Sequence, residues 1–187
     1  MTHTTMIEAY RPAEKTHARL YDLAAVVGGS ILLAVSARIM LPIGPIPFTM
    51  QTFVLILLGA VLGPKRGLAA VGLYLAQGLA GLPVFAFGAA GPAYLLGPTG
   101  GFLLGFIPTV GVTGLLARRG WDRRWLTAAA AMAIGVSTIF LPGVAWLAVA
   151  VGWEKAVLAG LLPFLPIEAG KVLIAATLLP LARKYLG

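Results

Sequence analysis

Pro163-Phe164-Leu165-Pro166-Ile167-Glu168-Ala169-Gly170-Lys171, continued by an apolar run to Leu181, sets an acid and a base three residues apart in a stretch otherwise apolar enough to span a membrane. An ionisable side chain at bilayer depth costs about 2.5 to 3.5 kcal/mol on insertion scales, so such a residue needs a partner and a reason. On a helix, residues three apart share a face, and both would fall in its first turn after the proline stop at Pro163 and Pro166. The partner is therefore built in. An intrahelical ion pair that makes both charges tolerable is one reading. Ligand contact is the other: the carboxylate of Glu168 accepts N–H donors, while the Lys171 ammonium and the helix N-terminus favour an anionic group.

Working outward, the whole chain has the same character. Its 187 residues are 59% hydrophobic and 11% charged, with 24 glycines and a mean hydropathy of +0.94. That balance belongs to an integral membrane protein. Cysteine is absent, and the two histidines, His3 and His17, both fall near the N-terminus. Disulfide and thiol chemistry are excluded, and no zinc site or other metal cofactor is expected. Residues 1–22 carry Glu8, Arg11, Glu14, Lys15 and Arg19 without an apolar core or small-residue cleavage site. They are expected to be a cytoplasmic tail rather than a secretory signal, followed by a single membrane domain over 23–187.

Six apolar segments are predicted: Leu23 to Met40, Thr49 to Leu62, Leu68 to Leu82, Gly100 to Leu116, Leu126 to Val149 and Ile167 to Leu181. In hydrocarbon every backbone polar group needs an internal partner, so these glycine-rich, non-alternating segments read as helices rather than barrel strands. The formal charge of +8 sets orientation rather than nucleic-acid binding. Lys65 and Arg66, then Arg118, Arg119, Arg123 and Arg124, then Arg183 and Lys184 fall on the side of Arg11, Lys15 and Arg19. The expected fold is all-α, with six transmembrane helices and both termini cytoplasmic. The second and third segments are short: roughly 14 residues rise only about 21 Å. The apolar connections 41–48 and 83–98 are expected to fold back into the outer half, as irregular backbone does where it lines a cavity. Pro142-Gly143 is expected to interrupt the fifth segment. Trp146 beyond it reads either as an interfacial anchor or as part of a lid.

Other motifs are weaker. Thr49, Gln51 and Thr52 open the second segment at its outer end, where a lone glutamine often serves only to join helices. Gly97-Pro98-Thr99-Gly100-Gly101 lacks the Gly-Lys-Ser/Thr ending of a phosphate loop and reads as a tight turn. Ala24-Gly28 and Ala25-Gly29 make a stripe of small residues on the first helix, suited to packing inside the bundle or against a second subunit. Arg38, near the outer end of that helix, either reaches the headgroups or helps attract an anion. No His or Cys lies inside the bundle and Glu168 is essentially its one acid, so an intramembrane enzyme would lack a nucleophile and base.

Taken in order, Pro45 to Thr52, Tyr74 to Phe85, Gly97 to Gly101, and Pro163 to Pro166 followed by an acid and Lys171 resemble the BioY family, from about Leu23 to Leu181. That resemblance implies the biotin-binding S component of an energy-coupling-factor transporter in a bacterial cytoplasmic membrane, binding biotin at its outer side. Its partners would be a transmembrane coupling (T) subunit, contacted through the small residues of helix one, and two cytoplasmic ATPase subunits. Homo-oligomerisation stays open, as does action without an energising module. Lys171 matches the family's lysine, Gln51 its Pro-x-Thr-x-Gln glutamine, and Glu168 stands where Asp is more usual. The ring system of biotin would suit Phe85, Phe87, Tyr94 or Trp146. Its ureido group would suit Glu168 and Gln51, and its carboxylate Lys171 or Arg38. A six-helix S component or solitary carrier for another vitamin is the competing expectation.

Overall fold

The computed structural model describes residues 4–42 and 46–186. His3 and the Gly44-Pro45 part of the first connection lie outside them. A short helix α1 (Met6–Ala9) precedes α2 (Lys15–Ser36), which is followed by a two-stranded ribbon of β1 (Met40–Leu41) and β2 (Phe48–Thr49). The strands are antiparallel, pairing Met40 with Thr49 and Leu41 with Phe48. Then come α3 (Gln51–Leu79), α4 (Pro92–Leu95), α5 (Gly100–Arg118), α6 (Trp125–Val151), α7 (Trp153–Gly160) and α8 (Phe164–Leu186). Five of these, α2, α3, α5, α6 and α8, are long and apolar enough to cross a membrane.

Helix α3 is doubled back on itself. Gly63 leaves helical geometry at φ 78°, ψ 175°, and Pro64 follows. A positive φ suits glycine, and proline cannot continue the preceding hydrogen-bond ladder. Beyond the turn the two arms touch: a Cβ built on Gly67 would lie 3.7 Å from the Gly59 Cα. Gln51 Nε2 donates to the Tyr74 hydroxyl at 2.7 Å across 23 residues, a separation of about 34 Å in a straight helix. The predicted second and third segments are thus the two arms, with the break at Gly63-Pro64 just before the cationic pair.

Two boundaries differ from expectation. Helix α2 starts at Lys15 rather than Leu23, because hydropathy marks only the apolar part of a helix whose first turns are polar. Helix α6 runs unbroken through Pro142. A proline removes one donor, and neighbouring helices and Ser/Thr side chains make that tolerable in membrane helices.

The arms of α3 pack against α5, α5 against α6, and α6 against α8. Small residues let these backbones approach closely: a Cβ on Gly59 would sit 1.9 Å from the Thr113 hydroxyl, and one on Gly135 2.2 Å from the Thr113 methyl. Helix α2 lies outermost, with Leu23, Val27, Ile31 and Val35 exposed. The polar N-terminal segment is not loose where described. Met6 is buried beneath the bundle, and Arg183 Nη2 donates to the Thr4 carbonyl at 2.9 Å.

Candidate functional site

At the end of the bundle opposite Gly63, the ribbon, the start of α3, the 83–99 connection and the first turns of α5 and α8 converge. They border a pocket of about 510 Å³ counted with the open space at its mouth, of which only about 50 Å³ is closed-off room for water-sized molecules. Its lining has the character of a small-molecule site, mostly apolar with a few directed polar groups, and the pocket must widen to take a ligand. Its apolar wall is aromatic. Phe164, the first residue of α8, stacks on Phe48 at 4.1 Å and 20°. It also approaches Phe102 at 6.3 Å and Phe140 at 6.1 Å. Offset and edge-to-face pairs of this kind hold flat surfaces in place. Tyr94 and Thr99 line the opposite side with Ala86. Burial pushes the Tyr94 phenol above its ordinary range, although a hydrogen bond with Thr99 acts the other way, so it stays a neutral hydroxyl.

The polar wall is the start of α3. Thr49, Gln51 and Thr52 all line the cavity. Gln51 is buried; its amide donates to Tyr74, whose hydroxyl in turn donates to the Val84 carbonyl at 3.3 Å. Among the described residues its carbonyl receives only a long 3.3 Å hydrogen bond from the Thr49 hydroxyl. An oriented amide with spare acceptor capacity faces the space.

Behind Thr52 stands the acid–base pair. Lys171 Nζ donates to Thr49 O at 2.7 Å, to Thr52 Oγ1 at 2.7 Å and to Glu168 Oε1 at 2.6 Å. Three acceptors satisfy the three donors of an ammonium. Thr52 also donates to Glu168 Oε1 at 2.8 Å. The other carboxylate oxygen, Oε2, is buried and has no hydrogen-bond partner among the described residues. Because α8 begins at Phe164, the pair lies in its second turn rather than the expected first. Pro166 falls where backbone N–H groups are unpaired anyway and so starts no new helix. The free N–H groups of the helix start are therefore offset from Lys171. Neither member of the pair lines the main cavity. Lys171 borders an outer recess beside Ile39 to Leu41, and Glu168 a groove between α6 and α8. Thr49 and Thr52 connect the pair to the cavity.

The other candidates scatter. Phe85 is fully buried and stacks under Tyr94 at 5.2 Å and 17°. It occupies the space over Gly78, where a Cβ would lie 2.0 Å from its ring. It supports the site from beneath. Phe87 is 57% exposed with φ 60°, outside the cavity. Arg38 is exposed and its guanidinium donates to the Pro83 carbonyl, clasping the end of α2 to the 83–88 connection. The Trp146 indole donates to the Gly97 carbonyl at 3.0 Å, joining α6 to the turn before α5. The small-residue stripe divides. A Cβ on Gly28 meets nothing within 4 Å, whereas one on Gly29 would lie 3.0 Å from Ala70. Ala24 is exposed with Gly28 on the outer side, and Ala25 packs inward with Gly29.

Sequence reading passed over Tyr74, Phe102, Phe140 and Phe164 as site residues. Phe164 sat inside the quoted opening motif, and Thr52 lay next to Gln51, so position was a usable signal for those two. Tyr74 had none, because only the reversal at Gly63 brings it to Gln51.

A membrane-embedded helical bundle with an aromatic cavity at one end, one buried amide and a charged pair behind it is a small-molecule-binding membrane protein. Comparison with known proteins gives the family. A BioY family profile matches residues 10–187, and the chain belongs to that family. It is 41% identical over 156 residues to the probable biotin transporter BioY of Pyrococcus horikoshii, covering 83% of this chain and 90% of that one. Over 146 residues it is 41% identical to the biotin transporter BioY of Thermotoga maritima, covering 78% and 85%. Its fold matches the crystal structure of the S-component for biotin from an ECF-type ABC transporter. The TM-score is 0.82 at 25% identity, covering 92% of this chain and 95% of that chain.

Proposed function

We propose that this protein captures biotin at the outer face of a bacterial cytoplasmic membrane and delivers it inward as the S component of an energy-coupling-factor transporter. The observation that carries the reading is the cavity at the ends of α3, α5 and α8, set in a chain that belongs to the BioY family throughout its bundle. Biotin combines a flat fused ring system, a ureido group with two N–H donors and a carbonyl, and a flexible carboxylate. The Phe102, Phe140 and Phe164 wall suits the rings. Gln51 and Tyr94 are placed to pair with the ureido group or the carboxylate.

Lys171 and Glu168 act through Thr49 and Thr52. Ligand entry loosens the closed Thr49–Thr52–Lys171–Glu168 network, giving the ammonium an anionic partner or the free Oε2 a donor. In this reading the two arms of α3 cross the bilayer separately, which makes six crossings and puts both termini in the cytoplasm with the cationic loops. The outward Ala24 and Gly28 face of α2 receives the coupling subunit, and ATP hydrolysis belongs to two cytoplasmic ATPase subunits. No chemistry is done on the substrate, and no cofactor is needed.

The test is equilibrium binding of labelled biotin to the purified protein, competed with a panel of unlabelled vitamins. Biotin alone should displace the label, and Lys171→Ala should weaken binding at least tenfold. Saturable binding of a different vitamin in its place would replace this reading with that of another carrier.

A further inference from the structure

At the Gly63 end, the turn of α3, the start of α2, α1 and the last turn of α5 border a second cavity of about 330 Å³. Four cations line it, Arg11, Lys65, Arg66 and Arg118, against two acids, Glu8 and Asp22. The acids are already engaged. Asp22 is held by Arg11 at 2.9 Å and by Arg66 at 2.7 Å, and Glu8 lies 3.5 Å from Arg66. Among the described residues neither Lys65 nor Arg118 has an acid within ion-pair distance, and Arg118 Nε is buried without a hydrogen-bond partner. The cavity carries two more positive charges than negative ones, and Arg118, although its charge also acts on Glu8, keeps one donor turned away from water. An unsatisfied buried guanidinium N–H is costly, and a phosphate oxygen is the acceptor its planar fork fits best.

The flanking surface points to what carries the phosphate. One turn toward the bilayer from Lys65 and Arg118 lie Leu68 and Leu115, 39% and 54% exposed. One turn before Leu115 on the same helix, a Cβ on Gly111 would touch only Leu68 Cδ2, at 3.9 Å. Exposed leucines and a glycine with open space above it thus make an apolar strip on the bundle surface, one turn from the two cations that border the cavity. A free phosphate uses the cavity alone; a lipid uses both parts.

We propose that this end of the bundle holds the phosphate of an anionic membrane lipid between Lys65 and Arg118, with an acyl chain lying along the exposed Leu68, Gly111 and Leu115 strip. Basic pockets between membrane helices at the cytoplasmic side are suited to such headgroups, and their attraction falls with salt. The site is separate from the biotin cavity.

Native mass spectrometry of the detergent-purified protein with dioctanoyl phosphatidylglycerol, dioctanoyl phosphatidylcholine or inorganic phosphate tests this. One saturable phosphatidylglycerol adduct is expected, with phosphatidylcholine at least tenfold weaker. Lys65→Gln and Arg118→Gln together should remove that preference, while Arg119→Gln, at an exposed cation off the cavity, should keep it. Lys65→Gln alone, at an exposed position, should weaken it several-fold and guards against misfolding of the double variant. Inorganic phosphate binding as tightly as the lipid would keep the anion site and assign it to a free phosphate. Equal retention of the two lipids, or an unchanged preference in the variants, would overturn the proposal. Biotin affinity, measured in the same variants, should not change, so this site and the biotin site fail or stand separately.

Discussion

The two ends of the bundle both bury charge, and they do so in different ways. At the Gly63 end, arginines grip carboxylates: Arg183 Nε donates to a fully buried Asp122 at 2.7 Å, and Arg66 bridges Asp22 and Glu8. Guanidinium forks fix geometry; the Arg66 pairs tie α1, α2 and α3 together, and the Arg183 pair fastens α8 to the turn between α5 and α6. At the other end a lysine and a glutamate stand alone, completed by a threonine hydroxyl and a backbone carbonyl from the segment that lines the cavity. An ammonium is a point charge on a flexible stem and can change acceptors without moving a helix. The lesson is that the kind of cation, and where its second and third acceptors come from, separates a structural charge from one free to exchange partners.

Asp122→Ala should sharpen the contrast most. It strands Arg183 in a buried site, and breaking such a pair costs about 3 to 5 kcal/mol. A large drop in thermal midpoint is expected with biotin affinity unchanged in the folded fraction. Next, Gly63→Ala places a Cβ at positive φ, 3.0 Å from the Thr5 methyl, and should destabilise the α3 turn by about 1 kcal/mol or more. A thermal shift assay reads it, again without a change in affinity. Arg38→Ala releases the 83–88 connection from α2 and should speed biotin dissociation a few-fold in a stopped-flow chase, with little effect on stability. Equal dissociation rates would leave Arg38 as a surface residue.

The smallest effect is electrostatic. Burial pushes the Glu8 carboxyl up, but hydrogen bonds from Thr5 and the charges of Arg118 and Arg66 outweigh it, leaving the group below its ordinary 4.5. A lowered folded-state value stabilises above the unfolded value and loses that contribution as pH falls through the folded one. Docking of α1 should therefore be intact above about pH 4.5 and weaken below it, as amide exchange at Met6 to Ala9 would report.

How far the sequence carried depended on the range of the interactions. Apolar segments announce themselves because a bilayer forces helices on them, and the cationic pair Lys65-Arg66 marked a reversal that Gly63-Pro64 performs two residues earlier. Pro142 misled because a proline is a breaker only where nothing else steadies the backbone. Lys171 and Glu168 were conspicuous from their cost alone. Thr52 was visible only as a neighbour of Gln51, since its role comes from contacts 116 and 119 residues away in sequence. Phe85 and Phe87 look alike two residues apart. One fills the space over Gly78 and the other points outward because its backbone sits at φ 60°.

In the proposed function Lys171 and Glu168 serve binding rather than the fold. Replacing both charges together, Glu168→Gln with Lys171→Met, removes the pair without stranding either member, and such exchanges are often neutral or stabilising. Thermal midpoint and biotin dissociation constant should be measured on the same preparation. A midpoint at or above that of the parent protein with affinity at least tenfold weaker is the predicted result; unchanged affinity would contradict the account.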